Sequence, residues 1–316
     1  MTAYKVKADG RRVMAVGVHR AIVPREKGNN MHRFLTAVVT TLPLLTVSTP
    51  ALAQLAAAKE GPIVYGHHHL NTTNMDAQRK FFVDTLGGTS MKIGTNNAEI
   101  VKFPNVLIFF RTNQAPTGGT RGSTVNHIGF SVPNLRPVID KIKANGFQMI
   151  TRTEVAPTVE VKDDIAQNSP TTFIAFALGP DDVKVEFVQV PTQTIPIRLH
   201  HVHFFGQPNT DMRDWYVKVF GAKPRETPNF AAADLPGVAL NFTKSPDATV
   251  GTQGRALDHI GFEVKNLEAL VKTMEANGVK IERPYTKVAA LDIAIAFIKD
   301  PWGTYIELTE GLDKVQ

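Results

Sequence analysis

The chain of 316 residues contains no cysteine. This absence excludes a thiolate nucleophile, an iron–sulfur cluster and a zinc site built on cysteine. Any metal site must therefore use histidine and carboxylate ligands. With 43% hydrophobic and 20% charged residues, the composition excludes a disordered or collagen-like chain. The length favours two domains, each large enough to bury a core.

Over most of its length the chain also lacks an excess of either charge. The net charge of +6 and the pI of about 9.4 are typical of nucleic-acid binders. However, residues 1–53 contain eight basic and two acidic residues, which is the whole excess. Residues 54–316 contain 27 of each sign, so we expect no nucleic-acid partner.

The basic N-terminal segment resembles an export signal. A short basic start, Met31–Arg33, precedes an apolar run over residues 34–47, and Pro50–Ala53 ends in an Ala-x-Ala cleavage pattern. We predict a signal peptide at 31–53 with cleavage after Ala53, and a periplasmic or secreted mature protein with no membrane association. An uncleaved anchor is the alternative. Residues 1–30 are interpreted as a non-native upstream extension or a long basic leader, with no role in the fold.

An internal repeat organises the rest of the chain. Val125–Leu135 and Leu257–Leu267 are identical at seven of eleven positions, and both stretches are followed by an amphipathic segment that ends in Ala-Asn-Gly. From His67 and from His201, an aromatic pair follows at offsets 14 and 15 and a glycine at offset 20. These registers predict four similar units, two in each half of the chain.

Each unit is predicted to contain a strand, a helix and further strands, which is an α+β fold. The halves are predicted as two domains, 62–190 and 199–312, joined by a proline-containing link. The predicted helices span 75–86, 135–145, 212–220 and 267–277, where apolar residues recur at helical spacing.

Two histidines and one glutamate stand at matching places in each half. They are His67, His127 and Glu186 in the first half, and His201, His259 and Glu307 in the second. Each glutamate lies in an apolar strand, where a carboxylate is costly unless it is paired or bound to a metal. Two imidazoles and one carboxylate leave coordination positions open, which suits Fe(II), and also Mn, Co, Ni or Zn. The alternative is that each histidine is an ordinary polar residue of a strand.

Two further histidines lie on the same strand face as the predicted ligands. His69 and His203 follow His67 and His201 by two residues, so each pair shares a face. We predict a catalytic, proton-transferring role for both, with a role as supporting partner or additional ligand as the alternative. His68 and His200 are expected to point the other way.

These residues resemble the vicinal oxygen chelate superfamily, which includes glyoxalase I, extradiol ring-cleavage dioxygenases and bleomycin-resistance proteins. The opening histidines, the His-Ile-Gly-Phe stretches and the segment from Asp300-Pro301 to Glu307 carry the resemblance, which covers nearly all of 62–312. It implies four βαβββ modules paired into two open U-shaped barrels. It also implies that each concave face holds a divalent metal.

The choice of subfamily rests on the residues around the ligands. A glyoxalase-type site implies an additional glutamate, and the strands over 106–110 and 238–242 contain none. A dioxygenase implies a tyrosine ten residues before the glutamate, where this chain has Phe176 and Phe297, and a histidine that is missing between His259 and Glu307. His203 is the residue that could replace these missing acid–base groups.

The sequence therefore predicts an exported divalent-metal enzyme, with Fe(II) favoured and dioxygenase-like chemistry on a small substrate chelated through vicinal oxygens. A glyoxalase-like lyase or isomerase acting through an enediolate is the first alternative. A non-catalytic small-molecule binding protein is the second. The modules can pair within one chain or between the two chains of a homodimer.

Overall fold

The computed structural model describes residues 61–314. The predicted signal peptide and the segment before it lie outside the described residues. None of the helices within 61–314 has both the length and the apolar character that crossing a membrane requires.

The described residues form an α+β fold with two large mixed sheets. The strands are β1 (Ile63–Asn71), β2 (Thr89–Ile93), β3 (Ala98–Phe103), β4 (Val106–Arg111), β5 (Val125–Val132), β6 (Gln148–Met149), β7 (Val161–Lys162), β8 (Ile165–Ser169), β9 (Thr172–Leu178), β10 (Lys184–Gln189), β11 (Arg198–Gly206), β12 (Lys223–Arg225), β13 (Ala231–Leu235), β14 (Val238–Lys244), β15 (Leu257–Val264), β16 (Ile281–Val288), β17 (Ile293–Lys299) and β18 (Tyr305–Glu310). The helices are α1 (Met75–Arg79), which continues as a π-helical turn over Lys80–Thr85, α2 (Leu135–Ala144), α3 (Thr151–Glu154), α4 (Asn209–Phe220) and α5 (Leu267–Ala276), with 3-10 turns at Pro180–Asp182 and Leu312–Lys314.

Along the long strands, polar and apolar residues alternate and therefore lie on opposite faces of the sheet. In β5, His127 and Gly129 alternate with Ile128 and Phe130, and both apolar residues are fully buried. The apolar faces of both sheets and the helices share one core. Within it, the ring of Phe103 lies 5.0 Å from that of Phe130 in the other sheet.

The sheets pair the four units differently from the prediction. One sheet has the order β16-β17-β18-β15-β1-β4-β3-β2, and the other has the order β12-β13-β14-β11-β5-β10-β9-β8-β7. The first unit therefore shares a sheet with the fourth, and the second shares one with the third. The predicted grouping into 62–190 and 199–312 is wrong in this respect. The antiparallel pairs β1–β15 and β5–β11, at the middle of each sheet, join units from different halves.

The sheets are open, as predicted, and the eight-stranded one is strongly curled. The backbone N–H of Thr95, after β2, donates to the carbonyl of Ala290, after β16, at 2.9 Å. These two turns follow the strands at opposite edges of the sheet. No ladder joins β2 to β16 among residues 61–314, so the sheet does not close into a barrel.

Candidate metal centres

Each sheet brings three histidines and one glutamate together where its two units meet. Centre 1 consists of His67, His69, His259 and Glu307, and centre 2 consists of His127, Glu186, His201 and His203. Within each centre, one ligand atom from every residue lies within 4.8 Å of the others. All eight predicted site residues are therefore in one of the two centres.

The predicted assignment of these residues to two triads is wrong. His67 of the first half meets His259 and Glu307 of the second half, and His201 meets His127 and Glu186. The cause is the pairing of β1 with β15 and of β5 with β11. The residue types of each triad are unchanged by the exchange, because His67 corresponds in the sequence to His201 and His127 corresponds to His259.

In centre 1 two imidazoles contact one carboxylate oxygen. The Nε2 atoms of His67 and His259 each lie 2.9 Å from Oε2 of Glu307. Both histidines are buried, and Glu307 is 8% exposed. The ring of His69 packs 4.5 Å from the ring of His259. The four side chains thus converge on one nearly buried point.

Centre 2 repeats this arrangement. Nε2 of His127 lies 2.8 Å from Oε2 of Glu186, and Nε2 of His201 lies 3.2 Å from the same oxygen. The ring of His203 lies 4.6 Å from the ring of His127, and its Nε2 contacts Oγ1 of Thr243 at 2.8 Å.

The electrostatics favour an ionised carboxylate beside imidazoles that mostly have lowered pKa values, with His259 as an exception. Burial would lower the pKa of His259, but hydrogen bonds with Asp258 and Glu307 outweigh it and raise that pKa. Burial would raise the pKa of Glu307, but hydrogen bonds from His259 and His67 outweigh it and hold that pKa well below the usual value. Burial lowers the pKa of His127 to about 3, despite the opposing effect of Glu186. Burial also holds the pKa of His203 well below its usual value. Neutral imidazole and ionised carboxylate are the forms that bind metals.

Several nitrogen atoms in the centres have no hydrogen-bond partner among residues 61–314. They include Nδ1 of His67, His69 and His203, all buried. A buried polar atom without a partner is costly. Three histidines and a carboxylate with free lone pairs are a donor set that fits a divalent transition metal.

A glycine makes room for an imidazole in each centre. A Cβ atom on Gly261 would lie 1.9 Å from Cε1 of His67, and one on Gly129 would lie 2.1 Å from Cε1 of His201. Each glycine belongs to a His-Ile-Gly-Phe stretch and faces the histidine of the neighbouring unit. The glycine of this stretch is therefore part of the site.

Sequence reasoning missed polar residues that surround the ligands. Tyr305 and Lys184 each lie two residues before a ligand glutamate, a spacing that places them on the ligand face. The Tyr305 ring lies 5.7 Å from the ring of His259 and stacks on Phe297 at 5.0 Å. A phenol is thus present beside centre 1, although not at position 297.

Lys184 occupies the corresponding place beside centre 2. It is 3% exposed, and its Nζ donates to Oε2 of Glu154 at 2.7 Å. The two centres therefore differ in the group next to the carboxylate: a phenol in one and a buried ion pair in the other.

The neighbouring histidines differ in role. His68 is buried and contacts the hydroxyl of Tyr65 at 2.8 Å, which agrees with its predicted structural position. His200 does not point away from the site as predicted. Its Nδ1 lies 2.8 Å from Nδ1 of His201, because a bulge at this point of β11 brings the two side chains together.

Comparison with known proteins shows a match between part of this chain and one family. Residues 198–308 match the family model described as Glyoxalase/Bleomycin resistance protein/Dioxygenase superfamily. This segment is therefore similar to members of that superfamily. The match confirms the resemblance found in the sequence. No curated protein matches the chain.

Solved structures show the same fold over most of the chain. Glyoxalase I from Zea mays is 17% identical with a TM-score of 0.60, and the similarity covers 80% of this chain and 94% of that protein. A putative dioxygenase from Bacillus subtilis is 11% identical with a TM-score of 0.56, covering 78% and 84%. At these identities the likeness concerns the fold alone.

The segment matched to the glyoxalase superfamily does not contain a complete centre. It supplies His259 and Glu307 to centre 1, and His201 and His203 to centre 2. The remaining residues of the centres come from outside the matched segment: His67, His69, His127 and Glu186. Both centres therefore depend on the pairing of units across the chain.

Proposed function

We propose that the protein is a divalent-metal-dependent enzyme with dioxygenase-like chemistry on a small substrate chelated through vicinal oxygens. The observation that carries this proposal is the convergence of buried histidines on one glutamate oxygen in each sheet. When bound, the metal would supply a Lewis acid with open coordination positions. Fe(II) is favoured for two histidines and a carboxylate, with Mn, Ni, Co and Zn as the other candidates.

The chain's own residues have definable tasks in such a reaction. His67, His259 and Glu307 would hold the metal in centre 1, and His127, His201 and Glu186 would hold it in centre 2. His69 and His203 are uncharged beside the ligands because burial lowers their pKa values. A neutral imidazole accepts a proton from a substrate hydroxyl, which is the role that we assign to both.

Metal analysis and oxygen uptake test this function. The protein is loaded anaerobically with Fe(II) under a reductant, and oxygen uptake is then followed over a panel of catechols. We expect stoichiometric metal and substrate-dependent uptake, both abolished in the double variant Glu186→Ala/Glu307→Ala. Absence of stoichiometric Fe, Mn, Ni, Co or Zn would reject both metalloenzyme functions and leave a binding protein.

A lyase or isomerase is the second candidate. Phe297 and Phe176 support it, because their rings lie 5.4 and 5.5 Å from the ligands His259 and His127, where a phenol is expected for a dioxygenase. Such a reaction needs a metal and a base but consumes no oxygen. Turnover of a hemithioacetal without oxygen uptake would favour it.

We also propose that the protein is exported through the signal at residues 31–53. The Ala-x-Ala pattern that ends at Ala53 supports cleavage at this point. N-terminal sequencing of the protein recovered from the periplasm or the medium tests the proposal. The expected first residue is Gln54, and an intact N-terminus would contradict it.

A further inference from the structure

The two centres differ in the residue that precedes the ligand histidine of each His-Ile-Gly-Phe stretch. Asp258 precedes His259, and its Oδ1 accepts a hydrogen bond from Nδ1 of His259 at 2.6 Å. In centre 2 the same place holds Asn126, whose amide Oδ1 lies 3.0 Å from Nδ1 of His127. One ligand is therefore supported by a carboxylate and the other by a neutral amide.

The carboxylate of Asp258 is fixed from two sides. Its side chain is 1% exposed, and Oδ1 also accepts from Nη1 of Arg111 at 3.2 Å. Oδ2 accepts from the backbone N–H of Gly254 at 2.7 Å and from Nδ2 of Asn71 at 3.1 Å. Arg111 and Asn71 belong to the unit that supplies His67. Both units of the sheet therefore position this carboxylate, and within residues 61–314 the centre residue that it hydrogen-bonds is His259.

We propose that Asp258 is a positioning residue that makes centre 1 the tighter of the two divalent-metal sites. This inference rests on the proposed metal-dependent function. By accepting a hydrogen bond from Nδ1–H, Asp258 keeps the proton of a neutral His259 imidazole on Nδ1, so that Nε2 would offer its lone pair to a metal held beside Glu307. A carboxylate accepts this proton more strongly than an amide does, and such support is worth about 10- to 100-fold in metal affinity.

Replacing Asp258 by asparagine and, separately, Asn126 by aspartate gives two reciprocal tests. Co(II) binding is measured by calorimetry and visible absorption in the full chain, with the other centre disabled. Glu186→Ala leaves centre 1 to be measured, and Glu307→Ala leaves centre 2. We expect Asp258→Asn to raise the Kd of centre 1 about 10- to 100-fold and Asn126→Asp to lower the Kd of centre 2.

The melting temperature of the metal-free protein serves as the control in every variant, because a merely structural role would lower it without a selective change in Kd. Unchanged Kd values in both exchanges would overturn the positioning role and leave the metal function intact. Absence of Co(II) binding at both centres of the parent protein would overturn the positioning role and the proposed metal function together. Should Asp258→Asn fail to fold, Asn126→Asp decides by itself: a tighter centre 2 supports the inference and an unchanged one overturns it.

Discussion

The space for one imidazole in each centre is provided by the missing side chain of a glycine. Gly261 and Gly129 have ordinary backbone angles, since neither has a positive φ. Their requirement is therefore for volume, because a Cβ atom would overlap the rings of His67 and His201. This explains why both His-Ile-Gly-Phe stretches have glycine between two large apolar residues.

We expect Gly261→Ala to displace His67 and to abolish metal binding at centre 1. The overlap lies in a packed region, where added volume costs about 1–3 kcal/mol of folding free energy. Metal stoichiometry and the urea midpoint of the variant provide the measurement. The matched variant Gly129→Ala should affect centre 2 and spare centre 1. Full metal content in both variants would show that the imidazoles can move aside.

Glu263 is a buried carboxylate outside the two centres. Thr309 Oγ1 and the N–H of Gly311 each donate to it at 2.7 Å. Burial raises its pKa to about 7, and Asp313 adds to the shift. Because the folded-state pKa lies above the unfolded value, Glu263 favours the folded state most at low pH. That contribution is lost as the pH rises from about 4.5 to 7.

We therefore expect Glu263→Gln to stabilise the protein above pH 7 and to have little effect near pH 4.5. The glutamine oxygen can accept from Gly311, and its amide can donate to Thr309, whose hydroxyl then donates to the carbonyl of Phe262. The difference should approach about 3 kcal/mol at 1.36 kcal/mol per pKa unit. Melting temperatures from pH 4.5 to 8 measure it, and a constant difference across that range would refute the raised pKa.

At the scale of elements, the sequence predicted most helix positions. The predictions for 135–145 and 267–277 end within one residue of α2 and α5, because an asparagine N-cap and a glycine with positive φ mark the two ends. The other two helices differ. The segment 75–86 ends in a π-helical turn, in which the hydroxyl of Thr85 donates to the carbonyl of Lys80. The predicted start at Met212 was wrong, because α4 begins three residues before its first buried apolar residue.

Two side-chain oxygens accept hydrogen bonds from backbone N–H groups at the N-terminus of α5. Oδ1 of Asn266 accepts from the N–H of Ala269 at 3.2 Å, and Oε2 of Glu310 accepts from the N–H of Leu267 at 2.9 Å. We expect Asn266→Ala to lower the free energy of unfolding by about 1 kcal/mol, measured by urea denaturation. Lys265→Ala, at the exposed neighbouring position, is the control. Equal stability of the two variants would show that the cap contributes nothing.

At the scale of the whole molecule, the sequence identified all eight residues of the centres but not their partners. The repeats in the sequence show which positions correspond between the units. They do not show which units share a sheet. The pairing is decided by the contact of β1 with β15 and of β5 with β11. These strands are separated by different lengths of chain but have similar alternating patterns. The positions of Asp258 and Tyr305 beside the ligands were not predicted, because they follow from this packing.

Metal stoichiometry in double variants tests the pairing directly. In the observed arrangement His67 and His259 belong to one centre, whereas His67 and His127 belong to different centres. We therefore expect His67→Ala/His259→Ala to retain one of two metal equivalents, and His67→Ala/His127→Ala to retain none. Pairing within each half of the chain predicts the opposite result, because His67 and His127 would then share a centre. Metal content by elemental analysis, on protein shown to be folded by circular dichroism, distinguishes the two arrangements without any assay of activity.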